Sequence, residues 1–200
     1  TTMFAHKLIH SLSQDQIDIL LLRVVQETEK VWVHSKLKSP QMQFALDAQL
    51  SNWVLDGDVK TGTLFYIDTS TPLYRLTGEE QLNPELFLKS AMPGLRWVIR
   101  QFFLDDVINR YYDFRSVMID LTANLYKEKR PDLIPQMIKI INESLWISSN
   151  SLTANDVESY YKEDKRIWQI VQVSRRIHRW ITTKIFRDRY EFTLPDKIER

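Results

Sequence analysis

The chain has 200 residues, 44% of them apolar and 26% charged, which suits one domain, or one large lobe, with a real core and a polar surface. A formal net charge of +1 creates no global field for nucleic acid or an anionic membrane, and the lack of cysteine excludes disulfides, thiolate catalysis and Cys-ligated zinc. No apolar run reaches the ~18–20 residues that span a bilayer, and the start carries no signal-peptide pattern, so a cytoplasmic location is expected.

The first twelve residues show no strong period. Ser13-Gln-Asp-Gln16 has the form of a capping box. Ile17, Leu20, Leu21, Val24, Val25 and Thr28 follow at helical spacing, continuing to Val31 and Trp32. The helix is expected to end between His34 and Lys38, since the residue before Pro40 avoids the helical region. Residues 41–52 keep no helical period and read as a loop. Trp53-Val-Leu55 and Thr63-Leu-Phe-Tyr-Ile67 read as two strands of a hairpin, turned by Asp56-Gly57-Asp58. Pro72 cannot donate to a ladder, so Thr69–Pro72 leaves the sheet.

The pattern is helical from Asn83-Pro84 onward, with a break at Pro93-Gly94. Leu95, Val98, Ile99, Phe102, Phe103, Val107 and Ile108 share one face of an amphipathic stretch. Phe114–Lys127 is a second helix, carrying Val117, Met118, Leu121 and Leu125. Pro131 and Pro135 bracket the start of a third, with Met137, Ile138, Ile141 and Leu145. A helix opens at Thr153-Ala-Asn-Asp156, and a last one covers 164–185 with Ile167, Trp168, Val171, Ile177 and Ile181 as its buried face. Few glycines, helices punctuated by proline and one hairpin indicate an α+β fold in which helix dominates, as a single lobe over residues 1–200.

The stretch suited to chemistry is Phe44-Ala-Leu-Asp47-Ala-Gln-Leu-Ser-Asn52-Trp-Val-Leu55, followed by Leu64-Phe-Tyr-Ile-Asp68. Phosphoryl transfer needs a proton acceptor for the attacking hydroxyl and oxygen ligands for a hard divalent cation. One loop can supply a carboxylate and, five positions on, an amide oxygen; a carboxylate at a neighbouring strand end completes the set. Asp47, Asn52 and Asp68 occur in this order, with the hairpin between the last two folding the chain back.

This segment resembles the catalytic segment of the protein-kinase-like superfamily, and more closely its aminoglycoside and choline phosphotransferase branch. The resemblance implies the larger, C-terminal lobe of that fold, with Asp47 as catalytic base and Asn52 and Asp68 as magnesium ligands and cofactor-binding residues. ATP would be the phosphate donor and a small hydroxyl compound the acceptor. Asp120, in Val117-Met-Ile-Asp-Leu-Thr-Ala-Asn124, resembles the Asp-Leu-Ala helix downstream in that branch. Asp68-Thr-Ser-Thr-Pro72 also resembles an uncharacterised group of bacterial proteins. The pattern departs from the family at Ala45-Leu46, where a His two positions before the Asp is usual, and at Thr69, where a Gly is usual. A Gly-rich phosphate-covering loop does not precede Asp47, so the nucleotide-binding smaller lobe is expected outside these residues and the chain reads as a fragment. The alternatives are an inactive kinase-like binding module and a helical protein-interaction domain.

Other features read as structural. His6, His10, His34 and His178 make no zinc pattern. The basic run Arg175, Arg176, Arg179, Lys184, Arg187 and Arg189 reads as the wet face of a helix, with no clear nucleic-acid partner. Ser51 lacks both a nearby histidine and a glycine elbow.

Overall fold

A computed structural model describes residues 2–38, 41–69, 73–83, 108–144, 150–185, 187 and 189, and only the backbone of Lys38, Trp168, Val171, Ser174 and Arg175. The helices expected from Pro84 to Val107, and Leu145, lie outside the described residues. The chain divides into two compact units, residues 1–82 with 109–161, and residues 83–108 with 162–200. The candidate site lies entirely in the first.

That unit is mixed α+β. Strand β1 (Thr2–Phe4) leads into a short helix α1 (Ala5–Leu8) and then the long helix α2 (Gln14–Lys38). Residues 42–45 form β2 (Met42–Ala45), and a single 3-10 turn, Leu50–Asn52, precedes β3 (Trp53–Asp56). Then come β4 (Thr63–Tyr66), β5 (Leu73–Leu76), β6 (Glu79–Glu80), α3 (Phe114–Lys127) and α4 (Ile134–Asn142). A helix α5 (Ala154–Trp180) begins in this unit and continues into the other, ending in a π turn at Ile181–Ile185.

Half of the capping box at the head of α2 forms: the Ser13 backbone N–H donates to Gln16 Oε1 at 3.2 Å, and the Ser13 hydroxyl donates to the same oxygen at 3.1 Å. Ile17, Leu20, Leu21, Val24 and Val25 are all buried, as is Thr28, whose hydroxyl donates to the Val24 carbonyl at 2.8 Å. Burial of each large apolar side chain contributes about 1.5–3 kcal/mol, so this stripe is the spine of the core. Met118, Leu121 and Leu125 from α3 and Met137 and Ile141 from α4 pack into the same cluster. Asp113 caps α3 by accepting from the Ser116 N–H at 2.8 Å.

The hairpin also forms where the alternation places it. Trp53 pairs with Tyr66 and Asp56 with Thr63 in antiparallel register. Three of the sequence expectations are corrected. The hairpin is not the whole of the β structure: residues 2–4 add a third strand, in the order β1-β3-β4, and β2, β5 and β6 make a second antiparallel sheet in the order β2-β5-β6. Residues 42–45 are therefore strand rather than loop; four residues are too few to show a period, and their partner Leu73–Leu76 lies far along the chain. Lastly, the helix opening at residue 154 and the last helix are one continuous helix; of the buried face expected on it, Ile177 is exposed, Ile167 and Ile181 are half-buried, and the side chains of Trp168 and Val171 lie outside the described residues. Ile177 is 49% exposed, and Ile170, Val173 and Trp180 are exposed beside it.

Candidate functional site

The three residues singled out in the sequence lie on the loop before β3 and at the end of β4. Asn52 closes the 3-10 turn, and its side-chain Nδ2 donates to the Asp47 carbonyl at 3.0 Å. That bond ties the loop across its own five-residue span. The Ile67 N–H donates to the Asn52 carbonyl at 2.9 Å, extending the β3–β4 pairing by one residue. Asp68 is therefore the next residue after Asn52's partner, as the hairpin argument requires.

Asp47 sits in an acidic neighbourhood. Its carboxyl is pushed up from 3.8 to about 6, first by burial and next by the Asp120 carboxylate. The Gln49 backbone N–H, donating to Asp47 Oδ1 at 3.1 Å, opposes the rise. Asp68 adds to it and Lys127 subtracts from it. Burial also pushes the Tyr66 phenol well above its ordinary value, with Asp68 and Asp47 adding to the shift, so Tyr66 stays protonated. Asp47 thus feels Asp120 and Lys127 from helix α3 and Asp68 from the end of β4, and Tyr66 feels Asp68 and Asp47.

A side-chain residue that the sequence reading passed over joins these elements. Gln49 Nε2 donates to Asp120 Oδ2 at 3.1 Å, and Asn124 Nδ2 donates to Gln49 Oε1 at 3.2 Å. Asp120 and Asn124 are one turn apart on α3 and face the loop together. Asn124 is 3% exposed, and its Oδ1 has no hydrogen-bond partner among the described residues. No local motif marks Gln49. Its partners are 71 and 75 positions away, which only the fold brings near.

Among the described residues, no three His, Cys, Asp or Glu side chains converge closely enough to hold a metal ion.

On the outer face of the first sheet, Phe4, Val54 and Phe65 lie in register across the three strands. Phe65 is 50% exposed, and Ile67, two residues on, is 45% exposed. An apolar strip thus runs up to the strand end that carries Asp68.

The chain belongs to a family of unknown function (DUF6206), whose model matches residues 1–179. No curated protein and no solved structure matches it. Among the described residues, no helix is long and apolar enough to cross a membrane.

Proposed function

We propose that this lobe carries the catalytic half of a kinase-like phosphotransferase site. The observation that carries the reading is Asp47, a carboxyl held at about 6 in a loop closed by Asn52 and joined through the β3–β4 hairpin to Asp68. A general base works best with a pKa near the working pH, and a value of about 6 leaves Asp47 ionised yet basic at neutrality. Asp47 accepts the proton of the acceptor hydroxyl. The hydroxyl oxygen then bonds to the terminal phosphorus of ATP, the bond from that phosphorus to the bridging oxygen breaks, and ADP leaves with the electron pair. Asn52 Oδ1 and the Asp68 carboxylate would hold magnesium, which when bound neutralises charge on the phosphates.

Steady-state ADP release by the full-length protein, with ATP, magnesium and a panel of small polyols and amino alcohols, tests this reading. Turnover that falls by about two to four orders of magnitude in Asp47→Asn supports it, as expected for loss of a general base. Turnover unchanged by that substitution would contradict it and favour a binding module of the same fold, a reading to which Thr69 and Ala45 in place of the usual Gly and His also point.

A further inference from the structure

We infer that Lys127 is a further catalytic residue of this site, whose ammonium group binds the terminal phosphate of ATP from helix α3. The inference rests on the phosphotransferase reading above. Lys127 forms and breaks no covalent bond there: it keeps its proton and donates hydrogen bonds to phosphate oxygens while the phosphoryl group passes to the acceptor.

The placement comes from the helix. Asp120, Asn124 and Lys127 are spaced by four and then three residues on α3, which puts them on one face. Two bonds turn that face to the Asp47 loop: Gln49 Nε2 donates to Asp120 Oδ2 at 3.1 Å, and Asn124 Nδ2 donates to Gln49 Oε1 at 3.2 Å. Lys127 continues the face one turn further, at the end of the helix. It is half-buried, although lysines are mostly exposed. A flexible four-carbon stem lets its ammonium move about that point. Its charge reaches Asp47, whose carboxyl it pulls down against the rise caused by burial, Asp120 and Asp68.

Charge balance supplies the reason for a cation here. Among the described residues whose charge acts on Asp47, Asp120 and Asp68 are acids and Lys127 is the cation. The terminal phosphate of ATP is an anion, which carboxylates repel. Magnesium held by Asn52 and Asp68 would offset part of that repulsion. During transfer the charge spreads over the three equatorial phosphate oxygens, and a lysine acts on them as a point charge. A cation serving only the C-terminal end of α3 would do so from any face of the helix. Lys127 lies on the face that holds the Asp47 loop.

The test compares Lys127→Met and Lys127→Arg with the wild type in the full-length protein, by ADP release with magnesium and by calorimetric titration with ATP and, separately, ADP. Lys127→Met is expected to lower kcat/KM about 100- to 1000-fold. It is also expected to weaken ATP binding about tenfold and to leave ADP binding within about threefold, because the terminal phosphate is present in ATP alone. Lys127→Arg keeps the charge and is expected to recover at least about tenfold of the lost turnover. Melting curves of both variants report the helix end separately. A kcat/KM within about threefold of wild type in Lys127→Met overturns the inference and leaves the phosphotransferase reading in place. Equal losses of ATP and ADP affinity, or equal losses of turnover in the Met and Arg variants, mark a structural residue and overturn it too. A wild-type protein that releases no ADP overturns the phosphotransferase reading and the role of Lys127 with it.

Discussion

The side-chain amide of Asn52 donates to the backbone carbonyl of Asp47, 3.0 Å away and five positions earlier in the chain. The bond makes the loop between them a closed unit. It uses the nitrogen end of the Asn52 amide. The hairpin then adds Asp68 next to the residue that pairs with Asn52.

The raised Asp47 carboxyl has a consequence for stability. In the folded chain it titrates at about 6, against 3.8 when its surroundings are lost. The folded state therefore binds more protons than the unfolded state between these two values, and stability falls as pH rises through that window. Above it, ionised Asp47 is a destabilising group worth about 3 kcal/mol at most. Asp47→Asn keeps an oxygen for the Gln49 N–H and is expected to stabilise the protein by about 1–3 kcal/mol at pH 7.5. The gain should shrink as pH falls below 6 and vanish only well below 3.8, where the carboxyl is protonated in both states. Urea denaturation of both proteins at pH 4 and pH 7.5 reads the difference directly.

The hairpin connection depends on one glycine for space and the second sheet on another for conformation. A Cβ at Gly62 would meet the Asp56 carbonyl oxygen at 2.3 Å and the Asp58 carbonyl oxygen at 2.6 Å, both backbone atoms that cannot swing aside. Gly78 has φ of +87° with nothing within 4 Å of such a Cβ. Gly62→Ala is expected to cost about 3 kcal/mol or more, and Gly78→Ala only about 1 kcal/mol. Thermal melts of the two variants should rank in that order.

Helix α2 reaches the same connection through Arg23. Its guanidinium donates to the Val59 and Gly62 carbonyls, each at 2.6 Å. Arg23→Ala removes two charge-assisted bonds and is expected to cost about 2–3 kcal/mol. The Gly62 amide, which donates to the Asp58 carbonyl, should also exchange with solvent faster than in the wild type. Hydrogen exchange followed by NMR measures both effects on one sample.

Local patterns carried the helices and the hairpin. The Ser13–Gln16 box, the stripe of α2 and the span Phe114–Lys127 all lie where spacing predicts them, since each is decided by neighbours within a turn or two. The strands Thr2–Phe4 and Met42–Ala45 were not legible, because each is short and meets its partner only through tertiary pairing. On α5, Ile177 was expected on the buried face yet is exposed; period reports a stripe without saying what covers it. At the site, Asp47 and Asp68 were singled out from the sequence, and they lie near enough for Asp68 to raise the Asp47 carboxyl. Gln49 and Asn124 were not, for an amide in a loop and an amide in a helix carry no local sign of meeting.

The most direct test of the phosphotransferase reading is calorimetric titration of the full-length protein with ATP, in the presence and absence of magnesium. Binding heat that requires magnesium, and that is lost in both Asn52→Ala and Asp68→Asn while their melting curves stay near wild type, is the result this account predicts. Heat that is absent with and without magnesium, or that persists unchanged in both variants, would contradict it.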